Sequence, residues 1–231
     1  MAAQSTRERI IEAAAALLAE GGREAVSTRA VSAAARVQGP TIYRIFGDKR
    51  GLLDAVARYG FETYLRSKTA LEQTADPVED LRKGWDLHVG FGLAQPAFYT
   101  LIYGEPRPGV EWTAAREAAD ILAKQVRRIA EAGQLRVSEE RAAQLIHAAG
   151  SGTTLTLIAL PPERRDPALS GLARESVITT VTTDVPPYGS RESNAVSSAI
   201  ALRAVLPEAT VLTERERGLL AEWLDRIATA D

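Results

Sequence analysis

Apolar residues recur at helical spacing from one end of this chain to the other, and that regularity restricts it to an all-α fold. In the first segment Ile10, Ala14, Leu17 and Leu18 fall on one side of a helix. Ser5 and Glu8 have capping-box spacing at its start, and Gly21-Gly22 are placed to stop it. A short second helix follows, with Ser27 as its N-cap and Ala30, Val31 and Ala34 facing inward. After a turn at Arg36-Val37, a third short helix runs from Gly39 to Phe46. Its Pro40 sits in the first turn, where a missing N–H is no loss. Asp48 then caps a fourth helix carrying Leu52, Leu53, Val56 and Gly60, which runs to about residue 67 or beyond.

The segment Gln73-Thr74-Ala75-Asp76-Pro77 reads as a break, and beyond it helices are predicted at 77–94, 96–104, 110–133 and 138–160. The third of these shows Ala115, Ala119, Leu122, Val126 and Ile129, and the fourth Ala142, Leu145, Ile146 and Ala149. Pro161-Pro162 marks a loop. The segment from Pro167 to Val185 ends in a β-branched run, Val177 to Thr183, whose propensity favours strand; helical neighbours on every side favour helix. Pro186-Pro187-Tyr188-Gly189 reads as a loop. Two more helices close the chain, the last opened by a capping box of Thr213 and Glu216 and carrying Leu219, Leu220, Trp223 and Ile227. The expected organisation is a three-helix N-terminal domain, 1–55, followed by a larger helical bundle, 56–231.

Composition excludes several functions. With 45% hydrophobic and 25% charged residues in 231, the chain can bury a substantial core. No apolar run is long enough to span a membrane and Met1 to Arg9 is too polar for a signal peptide, so a cytoplasmic location is expected. The absence of cysteine removes disulfides, thiolate catalysis and zinc–thiolate sites. The two histidines stand 59 residues apart, there is no His-Glu-x-x-His pairing and no glycine-rich phosphate loop. Asp86 and His88, two apart on a helix, diverge and cannot share a metal. Neither a metal nor another cofactor is expected, and an enzyme is disfavoured.

Charge is unevenly spread. Residues 1–55 carry a net +2 and residues 56–231 a net −4, and Arg36, Arg44, Lys49 and Arg50 cluster with one acid, Asp48, among them. Such an excess suits a polyanion, although a solvated basic face looks the same. Two short helices joined by a tight turn, the second starting with small residues, have the layout of a DNA-reading helix-turn-helix. At 100° per residue, Ile42 and Phe46 define the inner face of the third helix. Arg44 then lies opposite, with Pro40 and Thr41 beside it and Tyr43 and Ile45 on the flanks. A guanidinium held away from the core can bind guanine bidentately, the Tyr43 phenol can reach a phosphate, and Lys49 stands among the free N–H groups of a helix start.

The run from Ala35 to Leu53 resembles the DNA-binding signature of the TetR family: a Val-x-x-x-Thr-(Leu/Ile)-Tyr-x-x-Phe stretch, then a capped lysine and paired leucines. The likeness is dense over residues 6–55, with Ser27, Arg29, Val31 and Ala35 fitting the same family's second helix. It implies that Ser27 and Thr28 touch phosphate and that Arg29 touches backbone or base. It also implies that Gln38, Gly39, Pro40, Thr41 and Arg44 face the major groove while Tyr43 and Lys49 clamp the backbone. Two positions depart from the pattern: Arg36 replaces a usual turn glycine, and Ile45 a common histidine.

Further on, Trp85, His88 and Gly90, with Phe91, Pro96 and Tyr99, resemble the TetR C-terminal domain type named for its Trp, His and Gly residues. Leu81, Trp85, His88, Val89 and Gly92 share one face of their helix, and Gly84, Leu87, Phe91 and Ala94 another, as suits the middle of a bundle. Trp85, His88, Phe91, Tyr99, Tyr103 and His147 either line an effector pocket there or are core. The run Ala148 to Gly152 either permits close packing or leaves room for a ligand.

The resemblance implies a homodimer, joined through 138–160 and a helix from 167–229, on a double-stranded DNA operator; the amphipathic 213–229 helix is alternatively just a cap on the bundle. It further implies release by a small-molecule effector, with repression the common outcome. An activator or a regulator without effector control, and an all-helical enzyme or carrier, are the alternatives.

Overall fold

The computed structural model describes residues 5–104, 109, 112–183 and 195–229. Its helices are α1 (Thr6–Ala25), α2 (Thr28–Ala35), α3 (Gly39–Phe46), α4 (Lys49–Thr69), α5 (Pro77–Ala94), α6 (Pro96–Tyr103), α7 (Thr113–Glu131), α8 (Glu139–Ala159), α9 (Leu169–Val181), α10 (Ala195–Val205) and α11 (Glu214–Ala228). Single 3₁₀ turns lie at Pro162–Arg164 and Leu206–Glu208, and among the described residues there is no strand, only an isolated antiparallel bridge between Leu135 and Thr182. The expected loop at 186–189 lies outside the described residues. No described helix is long and apolar enough to cross a membrane.

The chain forms two compact units. The first comprises Met1–Ala70, Gly90–Ala118 and Leu155–Leu160; the second comprises Leu71–Val89, Ala119–Thr154 and Pro161–Asp231. Helix α4 runs unbroken through residue 55 and lies whole in the first unit. The first unit's core joins Ile10, Ala14 and Leu18 of α1 to Val31 and Ala35 of α2, Ile42 of α3, and Leu52, Leu53, Val56 and Phe61 of α4. Helix α6 packs on both α1 and α4 through Phe98, Tyr99, Leu101 and Ile102. Gly60 is required there, because a Cβ would collide with the Phe98 ring. Asp54 of α4 accepts hydrogen bonds from the Thr113 N–H and hydroxyl, both 3.0 Å, placing a carboxylate at the start of α7.

Several predicted faces shift by one residue. Ala35, not Ala34, is the buried alanine of α2. On α7, Ala114 and Ala118 are buried while Ala115 is half-buried and Ala119 exposed, because i−4 steps back from Leu122 land on 118 and 114. Leu145 of α8 is exposed. Helix α1 leaves helical geometry at Gly21 (φ −133°, ψ 15°) and Gly22 (φ 65°, ψ −165°), the expected stop, before a last turn to Ala25.

In the second unit the β-branched run is helical as far as Val181. Burial of Val177, Ile178 and Val181 outweighs the strand propensity, and the Thr180 and Thr182 hydroxyls each donate to the carbonyl four residues back at 2.8 Å. Only at Thr182 does the backbone become extended and bridge to Leu135.

A buried charge pair ties α7 to the segment before α5. Asp80 accepts from the Thr74 N–H at 3.0 Å and hydroxyl at 2.8 Å, and from Arg128 Nη1 at 2.6 Å. Arg128 Nη2 donates to the Thr74 carbonyl at 2.8 Å. Burial works to raise the Asp80 carboxyl, but the bonds from Arg128 and Thr74 outweigh it and hold the group below its usual range. Its contribution to stability is therefore present at neutral pH and lost on acidification through that lowered value. Arg128→Ala should cost about 2 kcal/mol in denaturant melts at pH 7, less than a fully buried pair loses because the arginine side chain is 26% exposed. The deficit should shrink as the pH is lowered, and a deficit independent of pH would show that the pair is not its source.

Candidate nucleic-acid interface

Helix α2 begins where the Ser27 hydroxyl accepts the Ala30 N–H at 3.1 Å. That cap leaves the Thr28 and Arg29 N–H groups without partners among the described residues, as the first turn of a helix does. Helix α2 ends in a turn in which Arg36 adopts the left-handed conformation (φ 53°, ψ 50°), alone among the described non-glycine residues. The Val37 N–H returns to the Ser32 carbonyl at 3.0 Å and closes the turn. This explains why a glycine is usual here: only glycine adopts this conformation without a Cβ penalty.

Gln38 then opens α3 without a side-chain cap, and Pro40 lies in the first turn, as expected. Helix α3 is held by one fully buried side chain, Ile42, 1% exposed. Phe46, expected beside it, is half-buried, with the Arg7 guanidinium 5.6 Å above its ring. Arg44, Tyr43, Gln38 and Pro40 are exposed, while Thr41, Gly39 and Ile45 are half-buried. Gly47 (φ 79°) turns the chain, and Asp48 Oδ1 accepts the Gly51 N–H at 2.7 Å to start α4, with Lys49 exposed in its first turn. A Cβ on Gly51 would collide with the Phe46 carbonyl, so this glycine sets how closely α3 and α4 meet. Ser27 and Arg29 are exposed and Thr28 half-buried. Arg29, Arg44 and Lys49 have no ion-pair partner among the described residues. Unpaired cations and an exposed phenol on one side of a helix pair, with the apolar anchor on the other, form a surface suited to a polyanion.

Residues 10–56 match the model of bacterial regulatory proteins of the tetR family. Among curated proteins none matches the chain in sequence. Solved structures do match. A protein from Shewanella sp. PV-4 described as a tetR-family transcription regulator superposes with TM-score 0.64 at 17% identity, over 78% of this chain and 100% of the other. SmeT, the repressor of the Stenotrophomonas maltophilia multidrug efflux pump SmeDEF, gives 0.60 at 24%, over 79% and 95%. A TetR variant from Acinetobacter baumannii AYE in complex with minocycline gives 0.55 at 19%, over 74% and 90%. The chain has the TetR-family regulator fold.

The six residues expected to line a pocket in a TetR body divide between the units. Phe91, Tyr99 and Tyr103 lie in the first, in an aromatic cluster with Phe61 and Tyr64: Phe61–Phe91 centroids are 4.6 Å apart, Tyr64–Phe91 4.9 Å and Tyr99–Tyr103 4.8 Å. Trp85 and His88 lie in the second, close to Gly150, with Trp85 Nε1 donating to Ser170 Oγ at 3.1 Å. His147 is exposed on α8. A groove of about 860 Å³ on the first unit, lined by Arg7, Ile11, Arg58, Tyr59 and Leu65 among others, contains none of the six.

Sequence reasoning missed Tyr64 and Lys68, although Phe61, Tyr64 and Lys68 stand three and four apart on α4, a spacing that puts all three on one face. Lys68 is 8% exposed, with its Nζ 5.7 Å from the Tyr64 ring centroid.

Restoring glycine at the turn should relieve strain. A left-handed residue with a side chain costs about 1–2 kcal/mol, and glycine's extra unfolded-state entropy returns about 0.5–1 kcal/mol of that. Arg36→Gly is therefore expected to raise the unfolding free energy by about 0.5–1 kcal/mol in a denaturant titration. A loss of stability would mean that the turn is not left-handed in solution.

Proposed function

We propose that this TetR-fold chain is a sequence-specific DNA-binding transcriptional regulator acting as a homodimer in the cytoplasm, a repressor released from its operator by a small-molecule effector. The observation that carries the reading is the two-sided α3: Ile42 buried, Arg44 and Tyr43 exposed. In this reading residues 1–55 form the DNA-binding head and 56–231 the ligand-binding and dimerisation body. Arg44, Gln38, Gly39, Pro40 and Thr41 address base edges in the major groove; Ser27, Thr28, Tyr43 and Lys49 address phosphates, and Arg29 either. Ile45 leaves the family's usual histidine contact unmade.

The likeness to SmeT, a repressor, and to a TetR variant holding minocycline supports repression and effector control. Trp85 and His88 packing near Gly150 supports a body of the Trp-His-Gly type, although Gly90 itself is exposed. Dimerisation is supported by an unpartnered apolar row on α11, where Leu219, Trp223 and Ile227 are 48%, 51% and 41% exposed at four-residue intervals. Effector binding would then shift the population toward a spacing of the two heads that no longer fits successive major grooves.

A labelled duplex from the gene's own upstream region is expected to bind with an affinity that falls steeply as salt rises. Arg44→Ala should lose about 1–3 kcal/mol on the specific site and far less on random DNA. Equal losses on both would reduce Arg44 to a phosphate contact, and no binding at low salt to any genomic fragment would sink the regulator reading. Trp223→Glu should convert the dimer to monomer in sedimentation and weaken operator binding with it; a variant that stays dimeric places the interface elsewhere.

A further inference from the structure

Within the first unit, one face of α4 presents a cation to the ring of Tyr64, which packs on further aromatic rings. Lys68 is buried to 8% exposure, and among the described residues no carboxylate comes within ion-pair distance of it. Beside it lies the Tyr64 ring, with Nζ 5.7 Å from the centroid. Tyr64 in turn packs on Phe61 and Phe91, with centroids 5.3 and 4.9 Å apart. Tyr103 lies 6.1 Å from Phe61 and 4.8 Å from Tyr99. Phe91 and Tyr103 are half-buried, whereas Phe61 and Tyr64 are buried.

An ammonium carries three donors and no acceptor. Burying such a cation without a counter-charge is unfavourable, and a chain normally avoids it or pairs it. The group whose chemistry completes this cluster is an anion carried on an apolar body: the anion for the ammonium and the apolar part for the rings.

We propose that the effector of this protein is a hydrophobic carboxylate, aryl or alkyl, whose acid group pairs with Lys68 while its apolar part lies against the half-buried rings of Phe91 and Tyr103. The inference rests on the effector-responsive reading above and adds the chemical class of the ligand. Desolvation lowers the Lys68 ammonium to about 8, so the free protein still carries most of that charge at neutral pH. An incoming carboxylate meets a cation rather than an amine.

Matched acids and amides test this on the full-length protein. Phenylacetate and octanoate are titrated against phenylacetamide and octanamide, with binding read by calorimetry and thermal shift in the absence of DNA. At least one acid should bind about 10- to 100-fold more tightly than its amide. Lys68→Met should remove that preference while leaving the amides and operator affinity unchanged. Because removing a buried unpaired charge does not threaten folding, the variant should melt no lower than the parent. A second arm needs no variant: octanoate affinity should fall roughly 25-fold between about pH 7.5 and 9.5 as Lys68 loses its proton, with octanamide unaffected. The other titratable groups in the cluster are the phenols of Tyr64, Tyr99 and Tyr103; burial holds Tyr64 and Tyr103 above the ordinary phenol value, so both stay neutral over that range.

Equal binding of acids and amides overturns the proposal. So does failure of both acids to bind, or undiminished acid binding by Lys68→Met. Operator binding by the parent is measured separately without ligand, so loss of the effector class and loss of the regulator reading give different results.

Discussion

An eight-residue helix has almost no stability of its own in water, because nucleation costs more than two turns of hydrogen bonds return. Helix α3 exists because Ile42 is driven into the first unit's core, and its orientation follows from that one side chain. Once Ile42 points inward, the 100° step fixes where Arg44, Tyr43 and Thr41 can point. Gly51 then sets how closely α4 approaches, since its missing Cβ admits the Phe46 carbonyl. The surface offered to a polyanion is thus the complement of a packing requirement. Its cations can stay unpaired because water solvates them at little cost.

Solvation likewise divides the buried charges into two kinds. Asp80 and Arg128 satisfy one another and also the Thr74 backbone and hydroxyl, so the pair braces the segment ahead of α5. Lys68 has the Tyr64 ring beside it and no anion among the described residues. A satisfied buried charge is a structural fixture, whereas an unsatisfied one leaves a role open, and that contrast is what makes the α4 cluster worth a ligand.

Much of the fold was legible because its signals are local. Ser5, Ser27, Asp48 and Thr213 cap the helices they were expected to cap, and Gly39 to Phe46 is helical over the predicted span. The faces were less legible. Ala34 and Ala119 proved exposed while their neighbours Ala35 and Ala118 are buried, since a small residue can sit on either side of a helix boundary. The β-branched end of α9 read ambiguously because propensity is local and the burial of Val177 and Val181 is not. Of the expected pocket residues, Phe91, Tyr99 and Tyr103 gather in one cluster, Trp85 and His88 lie in another unit, and His147 is exposed.

The sequence by itself determined the caps and stops, and which side of α3 could carry a guanidinium, because both follow from neighbours within one or two turns. Only the tertiary structure decided that Arg36 is left-handed, that α6 packs with α1 and α4, and that Lys68 is buried beside the Tyr64 ring. Those facts depend on residues distant in the chain competing for the same space, and a one-dimensional pattern contains no measure of that competition.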